Sequence, residues 1–545
     1  MGELTPSSGA VFEIRTDAKP GDAEYDHAGE VLLWASPGSH RLGEVEAAWT
    51  ERGWQGLASL PGPWAVALTE EASRSVVVAH DAMGAMPLFW ASTVQGGILI
   101  SSHLPSLADD PRVDARLAPE RVALRHYPGS GGLAALSTTD FRNIDAVPFG
   151  HGLVIAPDGT VAQRRFWHPE VSPAPSARMP AVQCTSAVAA GLENALQRMF
   201  SDLAGTTVAM KSTDSTIARR AYDGLVAAGA HVTAIYVHNA IAPPGASSTH
   251  AGGSAAEGAR APAPLWRHLG PTVQSRQHLR QLDHHRYPNR GMEALAVELP
   301  DAVAAGASVI ISFEGLRVFH GGALPIATGQ LARGEFSAFR RTLGVVPPAR
   351  RRLFLRMAVA GAYPRAASTV QGARTAMSRR AESAKAVRFP IPAAAAREQS
   401  RRYAVAQSAS EFAVAQFLSI EPWRRMEALT SLAGALGLEV YAPFLDPSLM
   451  ELVLRLPNHA WVHDGQDAWA LEQVEDHWAA ESLIAACPPP IRMDASVSLA
   501  ARSALPPRVW CEADPEVADV LRAIDVGRVI VDEPFVDPAA WAQSE

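Results

Sequence analysis

Thr206-Thr207-Val208-Ala209-Met210-Lys211-Ser212-Thr213-Asp214-Ser215-Thr216-Ile217-Ala218-Arg219-Arg220-Ala221 runs from a β-branched stretch through polar residues into a helix-forming stretch. A strand, a tight turn and a helix N-terminus together make an anion site, because free backbone N–H groups and the helix dipole converge on the ligand. Such turns ordinarily carry glycine, for positive φ and for close approach of the backbone to phosphate. The turn expected here, Met210 to Ser215, has no glycine and contains a lysine. Downstream, Val232-Thr233-Ala234-Ile235-Tyr236-Val237 reads as a buried strand. Alternation of such strands with helical stretches argues for a parallel sheet covered by helices.

Working outward, the first 170 residues have a different texture. Glu30–Trp34, Trp64–Leu68, Ser75–Ala79 and Gly97–Ile100 are short apolar runs between Gly, Pro and Asp clusters, which are strand signals. Pro169 to Pro180 reads as a linker, and Asn239 to Pro262, rich in Ala, Gly, Ser and Pro, as a loop. The chain has 545 residues, enough for two or three domains, each with its own core.

Composition narrows the class of protein. With 48% hydrophobic and 19% charged residues the chain is an ordinary globular one. A net charge of −8 gives no reason to expect nucleic acid as a partner. No N-terminal signal pattern and no bilayer-length apolar run is present, so a cytoplasmic protein without a membrane partner is expected. Cys184, Cys487 and Cys511 form neither a disulfide framework nor a zinc pattern. Lysine occurs only at Lys19, Lys211 and Lys385, and arginine supplies the rest of the 48 basic residues. Against that bias, the lysine at 211 reads as a residue with a role. From Arg333 to Arg388 arginines are many and acids few, which fits a solvated helical surface or a face for an acidic partner. The stretch from Asp514 onward is acidic.

Several segments carry a family resemblance. Gly437-Leu438-Glu439-Val440-Tyr441-Ala442-Pro443-Phe444-Leu445-Asp446 resembles Gly-x-Glu-x-Arg-x-Pro-Phe-Leu-Asp of the asparagine synthetase family, with Tyr441 in place of arginine. Lys211 to Ser215 sits where that family has the pyrophosphate loop Ser-Gly-Gly-x-Asp-Ser, matching at Asp214 and Ser215. Ile311-Ser312-Phe313-Glu314-Gly315-Leu316-Arg317 sits where the family has Ser-Gly-Glu-Gly-Gly-Asp-Glu. His80-Asp81-Ala82-Met83-Gly84-Ala85-Met86-Pro87-Leu88 resembles the Arg-Asp-x-x-Gly-x-x-Pro-Leu of its glutaminase-type domain, and Val147 to His151 with Phe166-Trp167 resembles that domain's closing hairpin. The family includes β-lactam synthetases and lasso peptide cyclases. The resemblance implies an α/β protein with three parts: an inactive glutaminase-like (Ntn-like) αββα sandwich over 1–170, a PP-loop synthetase domain with a parallel sheet over 181–512, and an acidic tail over 513–545.

What the resemblance implies about activity departs from the family at several points. The glutaminase domain uses a cysteine directly after the initiator methionine; residue 2 is Gly2, and no cysteine precedes Cys184, so glutaminase activity is not expected. The synthetase domain makes an acyl-adenylate from ATP with magnesium, whose hard-oxygen ligands would be carboxylates at 214 and 317. Asp214 is present, but Arg317 cannot ligate a cation. Side chains at 211 and 212 replace the loop glycines, and Asp494, in Arg492 to Val497, stands where the family tends to have a lysine. The expected catalytic residues are Glu314, Lys211 and Arg317; the expected substrate contacts are Asp214, Ser215, Glu439 and Tyr441; no metal site and no cofactor are expected. The expected function is metal-free, ATP-independent chemistry such as cyclisation of a small-molecule or peptide substrate in natural-product biosynthesis. Two alternatives stay open: an ATP- and magnesium-dependent amide, lactam or macrolactam ligase, and a non-catalytic pseudoenzyme partner.

Overall fold

The computed structural model describes residues 42–126 (without 71–73), 133–169, 179–212, 215–237, 265–267, 295–319, 322–346, 348, 351–363, 406, 408–418, 420–463 and 466–481, with four short strands before residue 36. The N-terminal half is two stacked sheets. One has the order β1 (Gly2–Leu4), β2 (Phe12–Arg15), β8 (Ile98–Ser101), β7 (Leu88–Ser92), β9 (Ile144–Val147). The other runs β11 (Val161–Arg165), β10 (His151–Ile155), β6 (Ser75–His80), β5 (Trp64–Glu70), β4 (Val31–Ala35), β3 (Ala23–Tyr25).

Strand alternation explains the layering. On β5 and β6, Ala65, Ala67, Val76 and Val78 point into the sandwich, where they meet Leu88, Ile98 and Ile100 of the facing sheet. Trp64, Val66, Leu68 and Val77 point the other way, onto the helices α1 (Leu42–Arg52) and α2 (Trp54–Ser59). Phe89, Ala91 and Leu99 pack outward onto α3 (Leu104–Ala108). A strand covered on both faces has no polar side to show, which is why β5 and β6 are almost continuously apolar. The order of layers is α, β, β, α. Two further helices, α4 (Pro119–His126) and α5 (Leu133–Leu136), lead toward the C-terminal half.

The C-terminal half is built on a five-stranded sheet, all parallel, ordered β14 (Leu265–Arg267), β13 (His231–Val237), β12 (Thr207–Ser212), β15 (Val309–Ser312), β16 (Glu439–Tyr441). Its helices in chain order are α6 (Ala181–Asp202), α7 (Ser215–Ala227), α8 (Leu295–Ala304), α9 (Ala323–Ala332), α10 (Phe336–Val345), α11 (Arg351–Ala362), α12 (Ala409–Phe417), α13 (Ile420–Ala435), α14 (Pro447–Arg455), α15 (Asn458–Trp461) and α16 (Trp469–Glu481). No described helix is long and apolar enough to cross a membrane. The 239–262 loop, most of the 169–180 linker, 364–388 of the arginine-rich stretch, the 492–497 segment and the 513–545 tail lie outside the described residues.

One expectation is corrected. The turn does not begin at Met210: β12 continues through Lys211, level with Tyr236 and Ser312, to Ser212, level with Val237. Without glycine at 211 and 212 nothing requires the backbone to leave the β conformation, and the ladder to both neighbours runs on.

Candidate functional site

In doubly wound parallel sheets ligands bind beyond the carboxyl ends of the strands. The register there sorts the candidate residues by face. Lys211, Tyr236 and Ser312 share one face; Met210, Ile235, Ile311 and Tyr441 share the other. Lys211 therefore points at α8, where its Nζ lies 3.2 Å from Oε2 of Glu298. One helical turn on, Asp301 accepts a hydrogen bond from the Tyr236 hydroxyl at 2.8 Å. Glu298 is 0% exposed, and a buried carboxylate is tolerable only with an opposite charge or donors beside it. Lys211 supplies that charge.

Glu314 follows β15 on the loop Phe313-Glu314-Gly315. Its two carboxylate oxygens face the guanidinium of Arg425 on α13, at 3.1 Å (Nε) and 3.5 Å (Nη2). The loop is held by the Pro443–Asp446 segment. Gly315 has φ +103, and a Cβ there would lie 2.4 Å from the Phe444 carbonyl oxygen, so only glycine fits. Phe313 meets Phe444 edge-on at 5.3 Å between centroids. Asp446 N-caps α14, accepting from the backbone N–H of Ser448 (2.7 Å) and Leu449 (3.2 Å), with Pro447 at the first helical position. Its other oxygen pairs with Arg198 of α6.

Tyr441 is buried on the α6 side, and its hydroxyl donates to Asp202 at 2.5 Å. Burial, with Asp202 beside it, pushes the phenol well above its usual range, so it stays protonated. Glu439 shares Tyr441's face but begins the strand, level with Val309, about 10 Å from the Ser312 row. It stands at the amino edge of the sheet. The structure thus gathers Lys211 and Glu314 near the carboxyl ends of β12 and β15 and sets Tyr441 and Glu439 apart from Lys211. Ser215 opens α7 and Arg317 lies in the short 3-10 turn Leu316–Phe319; their side chains, and Asp214 altogether, are outside the described set. Among the described residues no group of three His, Cys, Asp or Glu side chains is placed to hold a metal.

Sequence reading missed Glu298 and Arg425. A lone acid in the apolar run Leu295-Ala296-Val297-Glu298-Leu299 was a usable signal, since such an acid must be paired when buried. Arg425 is 111 residues from Glu314 and carries no local sign of its pairing.

A cavity of about 40 Å³ lies where the two halves meet, lined by His80, Arg125, Phe149, Trp423 and Glu427 among others. His80 Nε2 donates to the carbonyls of Val147 (3.1 Å) and Pro148 (3.2 Å), which leaves Nδ1 as a buried acceptor without a partner among the described residues. Burial pushes His80 down to about 4, so the ring is neutral. Asp81 accepts from the backbone N–H groups of Ala85, Met83 and Met86, yet burial outweighs them and pushes it up to about 6. Cys184 is buried on α6, and burial raises its thiol, the opposite of what a nucleophile needs.

The αββα sandwich followed by a helix-covered parallel sheet defines a two-domain protein of amidotransferase–synthetase architecture. A family model described as a glutamine amidotransferase domain matches residues 44–167, and one described as asparagine synthase matches residues 324–486. The chain belongs to the asparagine synthetase family. No curated protein matches it. The asparagine synthase match takes in Tyr441 and Pro443–Asp446 and begins after Lys211, Glu314 and Arg317.

Proposed function

We propose that this chain is a divergent biosynthetic member of its family whose synthetase domain works without magnesium and ATP. The observation that carries this reading is the Lys211–Glu298 ion pair. A triphosphate bound without metal needs a surplus of positive charge and free backbone N–H groups. At the strand ends Lys211 is offset by Glu298, and Arg425 by Glu314. The backbone that would wrap the phosphates is instead engaged in the sheet as far as Ser212. These residues do not fit a magnesium–triphosphate, and no step is drawn through one.

The chemistry left is proton transfer on a small-molecule or peptide substrate, such as a ring closure, with Glu314 as the proton acceptor and Arg425 aligning it. Both groups are part-exposed, with side chains 17% and 19% accessible, so a substrate can reach them. A second reading, a non-catalytic partner, is favoured by the same pairing, because Lys211 and Glu314 each already have an internal counter-charge.

The test has two parts. Pyrophosphate release from ATP and magnesium, with carboxylate and amine substrates, is expected to stay at background; release above it would restore the ligase reading. Glu314→Gln, expressed in the producing host in place of the wild type, separates the other two. Loss of product supports catalysis by Glu314, and unchanged product supports the partner role.

A further inference from the structure

Among the described residues, four of the eight large hydrophobic side chains exposed to solvent lie on or just after two successive helices. Phe336 opens α10 at 66% exposure, and Leu355, Val359 and Tyr363 follow at 42%, 42% and 45% on and just after α11. The opposite side of α11 is spent on the core, with Phe354, Met357 and Ala358 buried against Leu331 and Ala327 of α9. Leu355 and Val359 are four residues apart and so lie one above the other; Arg352 and Arg356 repeat the same spacing beside them. Both arginines are exposed. Neither they nor Arg340 and Arg341 of α10 make an ion pair or hydrogen bond with another described residue. A helix face that carries an apolar strip flanked by uncompensated guanidiniums fits an acidic amphipathic segment.

We propose that this face docks the chain's own segment 514–545. Charge selects it. That segment holds eight acidic residues against Arg522 and Arg528, whereas 364–405, the neighbour in sequence, holds nine basic residues against Glu382 and Glu398 and is repelled. The acidic segment also brings the apolar side: Val517, Val520, Leu521 and Ile524 recur at the i, i+3, i+4, i+7 spacing of one helical face. Reach is not limiting, because the 32 residues between Glu481 and Asp514 can span up to about 100 Å. The docked segment covers Leu355 and Val359 with its apolar strip and sets Glu516 and Asp525, which flank that strip, toward the arginines.

The scarcity of lysine makes a clean test. Full-length protein carrying Arg356→Lys is treated with a zero-length carbodiimide, which joins an amine to a carboxylate, and the joined peptides are identified by mass spectrometry. The expected product links residue 356 to an acid within 514–545 inside one chain. Its yield is expected to fall at least five-fold when Glu516→Arg and Asp525→Arg are added, and likewise with Leu355→Asp and Val359→Asp. Links from 356 only to other segments, only between two copies, or with a yield indifferent to the charge of 514–545 would overturn the proposal.

Discussion

Lys211 takes its direction from its strand. Level with Tyr236 and Ser312, it can only point at α8, and the group it meets there is the fully buried Glu298. Removing the lysine takes a counter-charge from a buried carboxylate, so Lys211→Met is expected to destabilise the protein by about 3 kcal/mol, while Glu298→Leu added to it recovers most of the loss. Urea denaturation of the two single variants and the double variant measures this. Independent, additive losses would mean that the pair is not coupled and that Lys211 is available for a ligand. The sequence alone showed a lysine where glycine was expected. Its partner was hidden because nothing near residue 211 reports what α8 brings alongside.

At the scale of elements, much was legible. β5 and β6 read as strands because helices cover one face and the second sheet the other, leaving unbroken apolar runs. The register across β12, β15 and β16 was not legible, and it separates Tyr441 from Lys211, since one residue of phase puts side chains on opposite faces. The turn after β6 offers a prediction of its own. His80 is held below its unfolded value, 6.5 against about 4, so stability falls as pH drops through that window. Asp81 is held above its unfolded value, 3.8 against about 6, so the stability it contributes at low pH is lost as pH rises through that window. Each shift corresponds to about 3 kcal/mol, and between pH 4 and 6 the two slopes oppose. Wild-type stability is expected to be nearly level over that range as far as this pair is concerned. Asp81→Asn is expected to lose about 3 kcal/mol between pH 6.5 and 4, read from urea midpoints at each pH; a slope unchanged from wild type would refute the assignment.

At the scale of the whole molecule the two halves are held against each other by packed groups. Arg125 of α4 donates to Glu427 of α13 at 2.5 Å, with both side chains buried, and Trp423 stacks on Phe149 at 4.5 Å. Gly84 leaves room for the Trp423 ring, which a Cβ would approach to 2.9 Å. The glutaminase-type motif around His80–Leu88 thus survives with an evident structural use. Glu427→Gln is expected to cost about 2 kcal/mol and to divide one thermal transition into two; a single unshifted transition would show that the halves do not depend on this pair. The central claim, that the synthetase domain has left magnesium–ATP behind, is tested most directly by calorimetric titration of the full chain with ATP, with and without magnesium. No binding is expected in either case. Magnesium-dependent binding would contradict it and return adenylation to this fold.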